Sequence, residues 1–164
     1  MRNESLFVKR MIALALALTF LVASSVRRVE AAPTPALTSE QIEGILQEAY
    51  NGFATFEVQQ VVSLFAADAT VEDPGGTPPL QGTQAITNHL NSFPVLFEQV
   101  RLYSLEVRVC GQEAAVKWRY RFKTKTGHTF FLEGFGFSKF NQDGKIQTLK
   151  EFFDLAYFLE QLQK

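Results

Sequence analysis

The chain has 164 residues, of which 46% are hydrophobic, and its formal net charge at pH 7 is −1. This length and hydrophobic content are typical of one globular domain with a substantial core. A nearly neutral chain lacks the excess of Lys and Arg that binding to a phosphate backbone requires, and the sequence contains no recognised nucleic-acid motif. We therefore expect no nucleic acid among its partners.

The first 32 residues have the pattern of a secretory signal peptide. Basic residues precede an apolar run over 11–26, and the small pair Ala31-Ala32 follows it. The run is shorter than the ~20 residues that a membrane-spanning helix needs. We predict a secreted or periplasmic protein that is cleaved after residue 31 or 32. The basic pair at 27–28 leaves two alternatives open, cleavage after Ser25 or retention as an N-terminal membrane anchor.

Cysteine and histidine give no sign of a disulfide, a metal site or a cofactor. Cys110 is the only cysteine, so the fold must be stable without a disulfide. It ends an apolar stretch with no histidine nearby, which predicts a buried small side chain rather than a nucleophile. His89 and His128 are the only histidines and form no ligand-spaced cluster, so each is predicted to be a surface or half-buried side chain.

A linker over 33–37 precedes a domain predicted over 38–164. Thr38 and Gln41 have the spacing of a capping box at the start of a first helix. Tyr50 lies at the edge of the apolar face of that helix, where its ring can be buried while its hydroxyl seeks a partner.

Two further helices are predicted before the chain becomes extended. The spacing of apolar residues from Val58 to Phe65 predicts a short second helix. Thr83 can cap a third helix, which should end before Pro94 because the residue that precedes a proline is disfavoured in helical conformation.

From Val100 onward the apolar residues alternate with polar ones, which predicts four long antiparallel strands. In the third of these, Gly134 and Gly136 share one face with Leu132, and phenylalanines occupy the other face. Helices followed by strands indicate an α+β domain, with a cone-shaped, curved antiparallel sheet covered by three N-terminal helices. Such a cone leaves a pocket between the sheet and the helices.

Asp73 is the one candidate catalytic carboxylate, and two interpretations of it stay open. If 69–73 forms a short strand, Asp73 faces inward beside Val71, and an apolar setting would make it a better proton acceptor near neutral pH. The alternative is ordinary turn chemistry, because an aspartate before Pro74 and two glycines commonly opens a turn.

The run 68–74, with the sequence DATVEDP, followed by Pro78-Pro79, Gly82 and Ile86, resembles the corresponding stretch of bacterial ketosteroid isomerases. These enzymes, like the SnoaL-like proteins, belong to the nuclear transport factor 2-like superfamily. The run 144–153 resembles their last strand, and the order of elements agrees from about residue 38 onward.

The resemblance implies a role for each matching residue. Asp73 corresponds to the base that moves a proton between carbons of an enone, and Tyr50 corresponds to the tyrosine that donates to the oxyanion. Gly136 occupies the position of the second donor, whose loss typically lowers turnover by ~10²–10³. Glycine at 134 and 136 is expected to enlarge that wall of the pocket. The residues predicted to line the pocket are Phe65, Val71, Leu90, Trp118, Gly134, Gly136 and Phe153.

Three functions are compatible with this sequence. The first is an exported, isomerase-like enzyme in which Asp73 removes a proton next to a carbonyl and Tyr50 stabilises the enolate. The second is a periplasmic binding protein for apolar small molecules, in which the pocket binds a ligand without catalysing a reaction. The third is an association module, because Phe131, Phe135 and Phe137 on the outer sheet face would suit a homodimer interface.

Overall fold

The structure, a computed structural model, describes residues 36–164. The predicted signal peptide and most of the predicted linker lie outside the described residues. Within 36–164, no helix is both long enough and apolar enough to cross a membrane.

The described chain contains five helices and six strands. The helices are α1 (Ser39–Thr55), α2 (Val58–Ser63), α3 (Gly82–Leu90), α4 (Phe93–Leu96) and α5 (Leu155–Leu162). The strands are β1 (Phe65–Glu72), β2 (Leu80–Gln81), β3 (Phe97–Cys110), β4 (Glu113–Thr124), β5 (Thr129–Phe140) and β6 (Ile146–Phe153).

The strands form one curved, unclosed sheet in the order β2-β1-β6-β5-β4-β3. Four of the five pairings are antiparallel, and β1 runs parallel to β6. The predicted α+β class and the curved sheet covered by helices are therefore confirmed. The parallel pair was not predicted, because it joins two strands that are far apart in sequence.

The capping box predicted for α1 is present. The Thr38 hydroxyl accepts from the backbone N–H of Gln41 at 3.2 Å, and the Gln41 side chain accepts from the backbone N–H of Thr38 at 2.8 Å. These two bonds satisfy N–H groups that a helix start leaves without partners.

Two local predictions in the helical region were wrong. Phe65 does not continue α2 but begins β1, where it pairs with Ile146 of β6, so sheet pairing overrides its helical spacing. Thr83 does not cap α3 but lies inside it. That helix begins at Gly82 without a side-chain cap.

The alternation predicted for the long strands is confirmed. Along β5 the even-numbered residues are buried and the odd-numbered ones are exposed, and β4 follows the same parity for its buried residues. The buried face packs against α1 through residues such as Ile42 and Leu46, which are fully buried. The prediction that Cys110 is buried was wrong. It is exposed at the end of β3, which is an edge strand.

The outer face of the sheet carries a group of exposed aromatic rings. Phe135 is 52% exposed, Phe137 is 50% exposed and Phe152 is 42% exposed. The guanidinium of Arg119 lies 4.4 Å above the ring of Phe131 at the edge of the same group. We refer to Phe131, Phe135, Phe137 and Phe152 as the outer aromatic patch.

Two glycines of α1 provide a matched pair for a stability measurement. A Cβ at exposed Gly44 would contact nothing within 4 Å, so Gly44→Ala is expected to stabilise the protein by ~0.5–1 kcal/mol through helix propensity. A Cβ at Gly52 would lie 2.7 Å from Cγ2 of Val61, and overpacking of that kind costs ~1–3 kcal/mol. Gly52→Ala should therefore be destabilising, as urea unfolding would measure. Equal stabilisation by both changes would contradict the tight contact between α1 and α2.

Candidate functional site

A cavity of about 190 Å³ lies between the helices and the buried face of the sheet. Its walls are mostly aromatic and aliphatic, and no Lys or Arg of the described chain lines it. Both predicted catalytic residues, Asp73 and Tyr50, line this cavity. Five of the predicted pocket residues do so as well, namely Phe65, Val71, Leu90, Trp118 and Phe153.

Asp73 follows β1 directly, and its carboxyl is not used by the turn that begins there. The turn is closed by Thr77, whose backbone N–H donates to the carbonyl of Pro74 at 3.2 Å, and by Gly76, whose N–H donates to Glu72 at 2.9 Å. Each of the two interpretations of this stretch is therefore right in part. A turn is present, but Glu72 supplies its side-chain acceptor, while Asp73 lines the cavity.

His89, in the last turn of α3, contacts the Asp73 carboxyl. Its Nε2 lies 2.8 Å from Oδ2 of Asp73, and the two side chains are only 27% and 19% exposed. The prediction that His89 is a surface or half-buried side chain agrees with this exposure, but the pairing with Asp73 was not predicted. The contact fixes one carboxyl oxygen of Asp73 and leaves Oδ1 without a partner among the described side-chain bonds.

A second carboxyl, that of Glu151 on β6, also lines the cavity. The Tyr50 hydroxyl donates to its Oε1 at 2.7 Å, and the Trp118 indole N–H donates to its Oε2 at 2.6 Å. Tyr50 is itself held in place, because the Tyr120 hydroxyl donates to its backbone carbonyl at 2.9 Å. Two donors from α1 and β4 thus converge on one acid.

The backbone explains why Glu151 takes this position. It pairs with Gly136 across β5 and β6. A Cβ at Gly136 would overlap the Tyr50 hydroxyl and would come within 3.1 Å of the Glu151 carboxyl. A Cβ at Gly134 would likewise overlap the Trp118 ring. The expectation that these glycines enlarge the pocket was therefore wrong. Neither lines the cavity, and their space is filled by Tyr50, Glu151 and Trp118.

The surroundings of Glu151 make it a weak acid. Burial raises the pKa of its carboxyl to about 8, against an ordinary 4.5, and the nearby Asp73 charge contributes to that increase, although the bonds from Tyr50 and Trp118 oppose it. Burial also raises the pKa of Tyr50 well above its ordinary value, and the Glu151 carboxyl adds to this effect. Near pH 7 Glu151 is therefore mostly a neutral carboxylic acid.

A protonated Glu151 can donate to a ligand. Both of its oxygens accept from neighbouring residues, and no described side chain accepts its own O–H. That hydrogen is consequently free for an oxygen atom inside the cavity. Among residues 36–164, no group of three His, Cys, Asp or Glu side chains lies close enough together to hold a metal ion.

Asp73 and Glu151 are carried by hydrogen-bonded neighbouring strands. Glu72 pairs with Lys150 in the parallel β1–β6 ladder, so the residues that follow each of them, Asp73 and Glu151, are adjacent in register. Both side chains therefore point to the same side, into the cavity. The site combines a carboxyl paired with histidine and a neutral carboxyl supported by two donors.

Sequence reasoning missed Glu151 and His89. The signal for Glu151 was the hairpin over 141–145, which sets the pairing of β5 and β6 and places this carboxyl opposite Gly136. His89 offered no comparable signal, because its contact with Asp73 depends on how α3 packs over the end of β1.

Comparison with known proteins agrees with this fold. Residues 46–148 match the family model described as the SnoaL-like domain. A putative polyketide cyclase from Xanthomonas campestris pv. campestris superposes with a TM-score of 0.68 at 19% identity, covering 75% of this chain and 97% of that one.

Two further solved structures show the same architecture. A nuclear transport factor 2-like protein of unknown function from Burkholderia pseudomallei has a TM-score of 0.67 at 18% identity, covering 77% of this chain and 100% of that one. TerC, co-crystallised with polyporic acid, has a TM-score of 0.65 at 22% identity with the same coverage. The solved structures show that the chain has a nuclear transport factor 2-like fold, and the family match over 46–148 shows that it belongs to the SnoaL-like domain family.

Proposed function

We propose that this protein is an acid–base enzyme that removes a proton from the carbon next to a carbonyl in an uncharged, apolar ligand. The observation that supports this most directly is the Glu151 carboxyl, held by Tyr50 and Trp118 in the cavity that Asp73 also lines. A base and a hydrogen-bond donor in one apolar cavity are the two groups that enolate formation requires.

Each group has a distinct role in this mechanism. The Asp73 carboxylate accepts the proton from carbon, and His89 orients it by holding Oδ2. The electron pair of the broken C–H bond moves onto the carbonyl oxygen, which receives the O–H of Glu151. Tyr50 and Trp118 donate to the same carboxyl, so they hold the acid in place and favour its donation to the enolate.

The enolate can complete its reaction in two ways. Return of the proton from Asp73 to a different carbon gives an isomerisation, the reaction implied by the resemblance to ketosteroid isomerases. Attack of the enolate carbon on a second carbonyl gives ring closure, and the Xanthomonas protein described as a putative polyketide cyclase supports that class. Both reactions begin with the same proton removal, so one assay covers them.

Proton exchange in heavy water tests the proposal whichever product the enzyme forms. We expect the protein, incubated with a panel of cyclic ketones in D₂O, to speed the replacement of hydrogen by deuterium next to the carbonyl. Proton NMR follows the loss of that signal. If a ketone binds in the cavity and its exchange is no faster than in buffer, the enzymatic proposal fails.

The same outcome would support the second candidate, a binding protein for apolar small molecules. The feature that favours it is the apolar wall of the cavity, which would hold a ligand through burial alone. Binding without exchange would establish this function, whereas binding with exchange would exclude a purely passive role.

We also propose that the protein is exported by its N-terminal segment and forms a homodimer through the outer aromatic patch. Four exposed aromatic rings on one sheet face are costly to leave in water, and a second copy of the same face would bury them. Sedimentation of the mature protein as single copies at micromolar concentration would refute the dimer. Recovery of the uncleaved chain in the cytoplasm would refute export.

A further inference from the structure

The size of the cavity limits the ligands that it can hold. Its volume is about 190 Å³. An engineered cavity of about 150 Å³ lined by Leu, Ile and Phe accommodates benzene, and pockets for drug-sized ligands usually measure about 300–1,000 Å³. The cavity therefore has room for one six-membered ring and a few further atoms.

The walls that limit the cavity are aromatic rings in mutual contact. Phe53 packs edge-on against Phe93 with ring centroids 4.8 Å apart, and Phe153 packs edge-on against Phe158 at 5.7 Å. Phe158 also contacts Phe97 and Phe122, with centroids 6.1 Å and 6.0 Å away. Rings that support one another in this way resist displacement, because a larger ligand would have to disturb several contacts together.

Helix α5 contributes lining side chains that a single substitution can shorten. It contributes Leu155 and Phe158 to the lining, and these residues are three apart, so they share one face of the helix. Leu159 of the same helix is 49% exposed and does not line the cavity. Phe158 is the larger of the two lining side chains and packs against four other aromatic residues.

The polar groups of the lining restrict the chemistry of the ligand. Near pH 7 the Glu151 carboxyl is available as a donor, Asp73 is paired with His89, and no Lys or Arg of the described chain faces the space. A carboxylate or phosphate on the ligand would therefore meet no Lys or Arg and would lie near the Asp73 carboxylate. A single uncharged carbonyl satisfies the donor, and Oδ1 of Asp73 remains open to accept a proton.

We infer that the substrate is an uncharged one-ring carbonyl compound, and that Phe158 sets this limit by excluding fused rings. The carbonyl part of this inference rests on the proposed function, whereas the ring limit rests on the volume and walls of the cavity. A steroid or a four-ring polyketide is excluded as a substrate.

Binding measurements on three enones of increasing size test the ring limit separately from turnover. The ligands are a β,γ-unsaturated cyclohexenone, its fused two-ring homologue and a 5-ene-3-ketosteroid. Trp118, the only tryptophan of the chain, lines the cavity, so quenching of its fluorescence reports binding. The Asp73→Asn variant is titrated beside the wild type, so that conversion of the ligand does not disturb the titration.

We expect the one-ring ligand to bind, the two-ring ligand to bind about tenfold more weakly or worse because of overpacking, and the steroid not to bind. Phe158→Ala should improve affinity for the two-ring ligand about tenfold by removing the limiting ring. Leu159→Ala, on the same helix but outside the cavity, should change neither affinity. If Phe158→Ala does not fold, Leu155→Ala provides a second, milder enlargement.

The outcomes separate this inference from the proposed function. Steroid binding equal to one-ring binding in the wild type would overturn the ring limit, as would failure of the one-ring ligand to bind. Preference for the one-ring ligand without any proton exchange would leave the ring limit standing and would refute the enzymatic proposal. An unchanged size preference in both Phe158→Ala and Leu155→Ala would overturn the role of α5.

Discussion

Asparagine at position 73 is expected to lower the rate of proton exchange next to the ligand carbonyl by ~10²–10⁴, the usual contribution of a positioned general base. Asparagine preserves the shape of the side chain, and its amide oxygen can still contact His89, but an amide cannot accept a proton from carbon at neutral pH. Affinity for the ketone should change little, because the donor side of the cavity is untouched. Exchange followed by NMR, together with Trp118 quenching, gives the two readouts.

The matched control for this variant is Asp68→Asn on β1, the strand that Asp73 directly follows. Asp68 is exposed, and its carboxyl accepts from Gln147 on the outside of the fold, so the control removes the same charge without touching the cavity. Exchange at the wild-type rate is expected for this control. If Asp73→Asn also exchanged at the wild-type rate, Asp73 would not be the base, and Glu151 would be the next candidate.

The second large effect concerns how stability depends on pH. The pKa of Glu151 is about 8 in the folded protein and about 4.5 when unfolded. At pH values between these two, Glu151 is therefore protonated in the folded state and ionised in the unfolded state. The free energy of unfolding should therefore fall as pH rises from about 4.5 to about 8 and should level off above. The size of this loss is on the order of 5 kcal/mol.

Glu151→Gln is expected to remove this contribution, because glutamine carries no titrating proton. The unfolding free energy of the wild type should fall across this pH interval relative to that of the variant. Urea unfolding at a series of pH values would measure this difference. Glu43→Gln, an exposed change on α1, should leave the slope unchanged. Identical slopes for wild type and Glu151→Gln would show that the Glu151 carboxyl is already ionised near neutral pH.

Much of the fold could be predicted because its signals are local. The capping box at Thr38 and the two-residue alternation along β4 and β5 each depend on neighbours in sequence, and both are present. Phe65 and Cys110 were placed wrongly for the opposite reason. The strand conformation of Phe65 is determined by its pairing with β6, and the exposure of Cys110 is determined by its position at the end of an edge strand.

The site was predictable only in part, for a similar reason. The positions of Asp73 and Tyr50 in the cavity follow from their elements and from the family resemblance. The sequence around Gly136 does not predict Glu151, because this carboxyl comes from the neighbouring strand β6. Its placement depends on the pairing of β5 with β6, which includes a register shift between Lys139 and Phe140.

The parallel ladder between β1 and β6 also determines which parts of the site can move independently. Asp73 and Glu151 follow paired residues of that ladder, and an ion pair of 2.6 Å between Glu72 and Lys150 joins the same strands on the outside. The spacing of the two acids is thus set by backbone hydrogen bonds. Tyr50 belongs to α1, so a shift of that helix would lengthen its bond to Glu151. Since that bond lowers the pKa of Glu151, displacement of α1 would make Glu151 a weaker acid, which couples the position of a helix to proton affinity at the centre of the cavity.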